Sequence, residues 1–308
     1  MHNSKVIKFL VWILTRTGVV YLALWMALFA TLDVRLIWGN TVVRSFNRLM
    51  PSFSDLIEYV VSGRTLTQEQ WADYIRYYKR VVKLSSEDGA AYFFLGYCQT
   101  QAGQEQKAMR NFQIAVERVP GLFWFQYDLA VALYNRGNYY GAIYWFQKAV
   151  DFGPERMMHY MYDSKLYRQV IGRAYEMGHN VDLEMAQAFQ RSHLLVAKSW
   201  YLLGEYDKAL SMVQYGLSEG FGRDKDFYLI AALSLKELKR YSKAASVLRS
   251  YLETYPGDIN ALNEMEGLLL LTDRRDAAQG IRGIKEAVSE RFGFQAEDLF
   301  HKENYRLF

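Results

Sequence analysis

One pattern of residues occurs twice between residues 89 and 156, at a fixed spacing of 34 residues. Self-similarity at a period of this length is typical of stacked helical hairpins, in which each unit buries its apolar face against the next. The spacing therefore predicts a helical solenoid. The first copy of the pattern consists of Leu95, Gly96, Gly103, Ala108, Phe112, Ala115 and Pro120, and the second of Leu129, Ala130, Gly137, Ala142, Phe146, Ala149 and Pro154.

Each position of the pattern has a physical role in a helical hairpin. A large residue followed by a small one, as in Leu95-Gly96, lets a second helix approach the first closely. Ala108, Phe112 and Ala115 follow the spacing i, i+4, i+7, which forms one apolar stripe on that second helix. Gly103 is suited to end the first helix in a left-handed conformation, and proline stops the second helix.

The two copies resemble the tetratricopeptide repeat (TPR) family, and both carry nearly the whole motif of that family. The resemblance implies an all-α protein, folded as a right-handed superhelical solenoid of about five to six repeats. It also implies a protein that binds other proteins, because members of this family usually bind and do not react.

The register of the repeats continues beyond the two clear copies, because Pro154 and Pro256 are 102 residues apart, which is three times 34. The sequence predicts an N-terminal anchor at 1–38, a connector with a degenerate helical hairpin at 39–88, a repeat array at 89–292 and a tail at 293–308. Within 39–88 we expect helices over Asp55–Val61 and Thr67–Leu84. The tail is expected to be a final capping helix or a loose end. The predicted repeats are 89–122, 123–156, 157–189 (divergent), 190–223, 225–258 and 259–292 (capping).

The N-terminal region contains an uncharged stretch from Thr17 to Leu32. As a helix it would rise about 24 Å, and Arg16 and Arg35 could extend it by snorkelling to the membrane surface. We expect a single-pass membrane anchor here, with a cleaved signal peptide or a buried soluble helix as alternatives. Basic residues flank the stretch almost equally, so their distribution does not fix the orientation. The short leading segment favours a protein of the bacterial inner membrane with its repeats in the periplasm. Cytoplasmic repeats are the alternative.

A second possible membrane contact lies on the helix predicted at Thr67–Leu84. Four basic residues share one stripe of this helix: Arg76, Lys79, Arg80 and Lys83. Such a stripe near an anchor could contact anionic lipid head groups. The alternative interpretation is the solvated face of a degenerate repeat.

Composition and motifs argue against catalysis and against several ligand classes. The net charge of +4 over 308 residues is not typical of a nucleic-acid-binding protein. The single cysteine, Cys98, excludes an internal disulfide, and we expect it to be inert core. The five histidines show no metal-ligand spacing, and no phosphate-binding glycine loop is present. We therefore expect no enzyme activity, no cofactor, no metal and no small-molecule substrate.

In TPR proteins the first helices of successive repeats line a groove for the partner, and the resemblance places matching residues of this chain there. The predicted groove residues are Phe93, Tyr97, Trp124, Tyr127, Val131, Tyr134, Lys198 and Tyr201. Family positions also point to Thr100, Gln101, Asn135, Arg191, Leu194, Asp226, Leu229, Leu233 and Lys236. Rigid aromatic side chains are common hot spots in binding; the alternative is that neighbouring repeats bury some of them. TPR proteins that bind the acidic C-terminus of a chaperone have Lys and Asn where this chain has Phe93 and Tyr97. This difference argues against a co-chaperone function.

Three hypotheses about function follow. The first is a membrane-anchored TPR scaffold or adaptor for protein–protein interaction in a membrane-associated assembly, with membrane-complex subunits as partners. The second is a constitutive accessory subunit of a large membrane complex. The third, a TPR factor in envelope polymer synthesis, rests on family analogy alone.

Overall fold

The computed structural model describes residues 56, 65–151, 172, 174–221, 225–293, 296 and 298–306. Eleven helices have both ends within these residues, and none of the described residues lies in a strand. The helices are α1 (Gln68–Leu84), α2 (Gly89–Gln101), α3 (Glu105–Arg118), α4 (Phe123–Asn135), α5 (Tyr139–Val150), α6 (Val181–Leu202), α7 (Tyr206–Ser218), α8 (Asp226–Glu237), α9 (Tyr241–Thr254), α10 (Ile259–Leu271) and α11 (Arg275–Phe292).

The helices form successive hairpins, in which each helix packs against the next along the chain. The first helices of the hairpins are α2, α4, α6, α8 and α10, and the second helices are α3, α5, α7, α9 and α11. The first helices α6 and α8, and likewise α8 and α10, also contact each other directly. The all-helical solenoid predicted from the 34-residue spacing is confirmed in the described residues.

The turn between the two helices of a hairpin has the same backbone conformation in five repeats. Gly103, Gly137 and Gly204 end their first helices with φ between +71° and +78°. The corresponding residues of the last two hairpins are Lys239 and Asp273, which adopt φ of 58° and 55°. The left-handed region is costly for residues with a Cβ atom, which explains why glycine occupies this position in the clearer repeats.

Close helix packing inside a hairpin depends on the small residue of the motif. A Cβ atom added to Gly96 would lie 2.8 Å from Cε1 of Phe112, so α2 and α3 can meet only because Gly96 lacks a side chain. Phe112 itself is fully buried and packs against Phe93, with ring centroids 5.7 Å apart. Apolar residues of this kind form one core over α1–α6 and a second over α6–α11.

Helix α6 differs from the sequence-based division into repeats. It runs without interruption from Val181 to Leu202, across the predicted boundary between 189 and 190. A turn at Gly178–Asn180 precedes α6, because Gly178 has φ of +85° and the Asn180 side chain caps the helix. No glycine or proline interrupts 181–202, so His193 lies in the middle of this helix. About half of the predicted repeat 157–189, namely residues 157–171 and 173, lies outside the described residues.

The N-terminal part of the described chain begins with Leu56 and then α1. Thr67 caps α1, since the Thr67 hydroxyl accepts from the Gln70 amide and the Gln70 side chain accepts from the Thr67 amide. The predicted anchor at 17–32 and most of the predicted helix Asp55–Val61 lie outside the described residues. Among the residues that are described, no helix combines the length and the apolar character needed to cross a membrane.

The C-terminal segment is neither a capping helix nor a loose end, and both expectations for it were wrong. Gly293 follows α11 with φ of +66°, which allows the chain to turn back after the helix. Residues 301–306 then form neither helix nor strand, and they contact helices far away in sequence. The physical reason is that specific polar partners on α4 and α6 hold this backbone, which a local pattern cannot reveal.

Candidate functional site

The first helices α4, α6, α8 and α10 share one face that is covered by residues 298–306. We call these residues the tail segment, and the side chains of the four helices that lie beside it the groove. The tail segment runs in the direction opposite to the order of the repeats. Leu299 and Phe300 lie beside α6, α8 and α10, and Glu303 and Arg306 contact α4 and α6. The groove therefore holds a stretch of polypeptide that turns at Leu299 and Phe300 and has no regular secondary structure from residue 301 to 306.

Two side chains of α4 hold the backbone of the tail segment. The Asn135 amide group donates to the Glu303 carbonyl oxygen at 2.9 Å and accepts from the Glu303 amide at 2.8 Å. About two turns of helix before Asn135, Asp128 accepts from the Arg306 amide at 2.9 Å. Bonds of this kind recognise the backbone of an extended peptide whatever its side chains are.

Four charged residues form a cluster between α6, α8 and the tail segment. Arg191 donates to both carboxylate oxygens of Glu303, at 2.7 and 3.3 Å, and to Asp226 at 3.3 Å. Lys198 donates to Asp226 at 2.8 Å and to the Leu299 carbonyl oxygen at 2.6 Å. Glu303 provides the second negative charge, so two cations and two anions balance in a largely buried place.

Burial and neighbouring charges shift the pKa values in this cluster. The Lys198 side chain is 0% exposed, and burial together with the Arg191 charge lowers its pKa, although Asp226 acts in the opposite direction. Burial acts to raise the pKa of Asp226, but the Lys198 and Arg191 charges and hydrogen bonds outweigh it and hold the pKa below its usual range. Asp226 is therefore ionised and keeps Lys198 and Arg191 in place.

Asp128 lies in a different electrostatic environment from Asp226. It is fully buried, and burial raises the pKa of its carboxyl group well above the usual range. The hydrogen bond from the Arg306 amide and the Arg306 charge lower the pKa only in part. Asp128 thus acts mainly as a buried acceptor for a backbone amide, and the tail segment supplies that amide.

Aromatic contacts fix the two ends of the tail segment. The Phe300 ring stacks on Tyr201 with a centroid distance of 5.2 Å and an interplanar angle of 13°. The Tyr305 ring stacks on Phe112 at 5.8 Å. A cavity of about 340 Å³ remains beside Leu299 and Phe300, and it is lined by Tyr201, Leu229, Leu233, Lys236, Asn260, Asn263 and Glu264. The tail segment therefore fills only part of this end of the groove.

Comparison with known families agrees with this architecture. Models of the tetratricopeptide repeat match residues 66–123, 106–156 and 226–258. These stretches of the chain carry tetratricopeptide repeats. Proteins of this family serve as scaffolds for protein–protein interaction. No curated protein sequence matches the chain significantly.

Solved structures of similar fold include other TPR-like helical proteins. MamA from Desulfovibrio magneticus RS-1, from residue 41 onward, aligns over 67% of this chain and 98% of its own, with 12% identity and a TM-score of 0.51. Another MamA structure aligns over 69% and 100%, with 14% identity and a TM-score of 0.51. The apo form of RapI aligns over 70% and 59%, with 14% identity and a TM-score of 0.52. At these identities the likeness concerns the fold alone.

The TPR groove positions fall into two groups in the structure. Phe93, Trp124 and Val131 are fully buried between helices; Phe93, for example, stacks on Phe125 at 4.6 Å. Tyr97, Tyr127 and Tyr134 are also buried. Burial is the main cause that raises the pKa values of these three hydroxyl groups, and the Glu303 charge raises the pKa values of Tyr127 and Tyr134 further.

Two of the predicted groove residues, Lys198 and Tyr201, contact the tail segment directly. Asn135, Arg191 and Asp226, which the TPR family positions also indicated, form the polar part of the groove. Sequence reasoning missed Asp128 and the tail segment itself. Asp128 is the only acidic residue of α4, which was the one available signal, whereas nothing in the sequence marked Glu303.

The remaining sequence-based candidates lie outside the groove. Arg76, Lys79, Arg80 and Lys83 are all exposed on α1, opposite its buried aromatic residues. Their contact with anionic lipid stays a prediction. Cys98 is fully buried, and burial raises the pKa of its thiol, so it is poorly reactive. Among the described residues no group of three or more His, Cys, Asp or Glu side chains is arranged to hold a metal ion.

Proposed function

We propose that this chain is a membrane-anchored TPR scaffold whose groove binds an extended segment of a protein partner in a membrane-associated assembly. The observation that carries the proposal is the pair of hydrogen bonds between Asn135 and the backbone of Glu303. A side-chain amide that pairs with both backbone groups of one extended residue is suited to peptide recognition.

The chemistry of the groove adds a preference for side chains. Arg191 offers two donors to one carboxylate, a geometry that only a planar guanidinium provides. Tyr201 offers a flat surface to an aromatic ring, since Phe300 already stacks on it. A partner segment with an acidic and an aromatic residue fits these two features.

Support for the membrane anchor comes from the sequence, where Thr17–Leu32 contains no charged residue. An anchor of this kind would hold the repeats close to membrane partners. Alkaline extraction of native membranes tests it, because an anchored chain stays in the pellet and a peripheral chain is released. Protease access in intact and in lysed cells then assigns the repeats to one side of the membrane.

The groove is tested by capture of partners from detergent-solubilised membranes with the full chain. The groove variant carries Asn135→Ala and Arg191→Ala, and the matched control carries Gln113→Ala and Arg110→Ala on the exposed face of α3. We expect the control to keep the partners that the groove variant loses. Equal capture by both variants would argue against the groove. Stoichiometric co-purification that survives washing would favour a constitutive subunit over an adaptor.

A further inference from the structure

The tail segment has the features of a bound ligand and not of a helix packed into the core. Its contacts are long-range, with 101 residues between Lys198 and Leu299 and 178 between Asp128 and Arg306. They join side chains of the groove to backbone atoms of a segment that is neither helix nor strand. Along 301–306 only Glu303 is buried and Tyr305 is half-buried, while the other four residues are exposed.

From these contacts we infer that the tail segment is a tethered competitor, which occupies the groove until a partner segment of the same chemistry displaces it. This inference rests on the proposed function, because it concerns the same groove. The partner segment is an extended peptide that presents an aromatic ring, a carboxylate three residues later and a second aromatic ring two residues after that, as Phe300, Glu303 and Tyr305 do.

Charge explains why the partner has to supply a carboxylate. Without the tail segment, Arg191 would lose both bonds to the Glu303 carboxylate, and Lys198 would lose its bond to the Leu299 carbonyl oxygen. Both side chains lie in a largely buried place, since those of Lys198 and Arg191 are 0% and 19% exposed. The loss of a charged partner in such a site is costly. A neutral or basic peptide would leave that cost in place, whereas a carboxylate at the position of Glu303 removes it.

The connection between α11 and the tail segment makes the tail segment a strong competitor that a partner can still displace. Gly293 ends α11 and the tail segment begins at Asp298, so the connection is short. A segment held by a short tether competes at an effective concentration on the order of millimolar. The cavity of about 340 Å³ beside Phe300 gives an incoming segment a place to bind before the tail segment has left completely.

The experiment uses the full chain in detergent and a fluorescent peptide of residues 298–306 as the probe. A released variant carries Phe300→Ala, Glu303→Ala and Tyr305→Ala, which weaken the tail segment and leave the groove intact. We expect the released variant to bind the probe at least about tenfold more tightly than the wild type, because the tethered competitor is lost. Adding Asn135→Ala and Arg191→Ala to it should abolish binding. A probe with Glu303→Lys should bind at least about tenfold more weakly.

Several results would overturn the inference. If the wild type and the released variant bind the probe with equal affinity, the tail segment is not a competitor. The same conclusion follows if a released variant that melts cooperatively near the wild-type temperature does not bind the probe. A dimer that forms with concentration and disappears in the released variant would assign the tail segment to a second copy of the chain.

A second design covers the case in which the released variant does not fold. A protease site replaces residues 294–297, and the folded chain is cut before measurement, so that the tail segment can dissociate. Dissociation on dilution and rebinding of the probe are expected. A cut chain that unfolds or retains its tail at every dilution would show a structural element and overturn the inference.

The two proposals fail in different ways. If the probe assays behave as expected but the Asn135 and Arg191 variants still capture all partners, the proposed function falls. If capture depends on these residues but the released variant gains no affinity for the probe, only the inference about the tail segment falls.

Discussion

The side chain of Asn135 on α4 makes two hydrogen bonds with the backbone of Glu303, 168 residues later in the chain. The same residue, Glu303, places its carboxylate on Arg191 of α6. One residue of the tail segment thus joins helices α4 and α6. The contact between Asn135 and Glu303 is the structural basis for treating this face as a peptide-binding groove.

The ion pair between Arg191 and Glu303 should contribute measurably to stability, because both side chains are largely buried. We expect Glu303→Gln to lower the free energy of unfolding by about 1–2 kcal/mol. A double-mutant cycle with Arg191→Met, followed by chemical denaturation of the full chain in detergent, isolates the pairwise energy. A coupling energy near zero would mean that the pair does not form in solution.

Gly96 is required for the contact between α2 and α3. The Cβ atom of an alanine at this position would meet the Phe112 ring at 2.8 Å and the Ala108 carbonyl oxygen at 3.2 Å. We expect Gly96→Ala to destabilise the protein by about 1–3 kcal/mol through overpacking. Gly267→Ala on α10 is the matched control, because it has open space around it and should be neutral or stabilising by up to about 1 kcal/mol. Thermal melting of both variants decides this, and a similar response of the two would contradict the packing argument.

The hairpin turns of the last two repeats contain a residue with an unfavourable backbone conformation. Lys239 has φ of 58° and an exposed side chain, so replacing it removes strain and few contacts. We expect Lys239→Gly to raise the free energy of unfolding by about 0.5–1 kcal/mol. Gly204→Ala at the equivalent turn, where φ is +78°, should lower it by about 1 kcal/mol or more. The denaturant midpoints of the two variants measure both effects. If Lys239→Gly destabilised the protein and Gly204→Ala stabilised it, the left-handed conformation could not be present at these turns.

His193 should give the protein a characteristic dependence of stability on pH. It is 8% exposed among Phe189, Tyr215 and Phe221, and burial lowers its pKa to about 4. The unfolded state therefore binds a proton that the folded state does not between about pH 6.5 and pH 4, and stability falls as pH falls through this window. The loss due to this residue should reach about 3 kcal/mol.

The variant His193→Phe tests that assignment, because it keeps an aromatic ring and cannot titrate. The difference in unfolding free energy between variant and wild type should grow as the pH is lowered from 6.5 to 4. If this difference in unfolding free energy stays constant with pH, His193 has the same pKa in the folded and in the unfolded state.

The sequence predicted the hairpins well because their determinants are local. Leu95-Gly96, Gly103 and Phe112 lie within one repeat, and the close contact between Gly96 and Phe112 joins two consecutive helices. The continuous helix α6 was missed because the 34-residue register was applied where no glycine or proline marks a boundary.

The groove was predictable only in part, because burial depends on more than a motif position. Family positions led to Asn135, Arg191, Lys198 and Tyr201, which do contact the tail segment. The same rule also selected Trp124, which neighbouring helices bury completely. The occupant could not be predicted, since contacts over 101 to 178 residues between single polar groups leave no periodic trace in a sequence.

Hydrogen exchange of the tail segment in the full chain, resolved to single amides, tests the occupied groove most directly. The Glu303 and Arg306 amides should be protected, because they donate to Asn135 and Asp128. In Asn135→Ala the protection of Glu303 should be lost, while α9, which lies away from the groove, exchanges as in the wild type. If both amides of the wild type exchange as fast as in the free peptide 298–306, the tail segment does not occupy the groove.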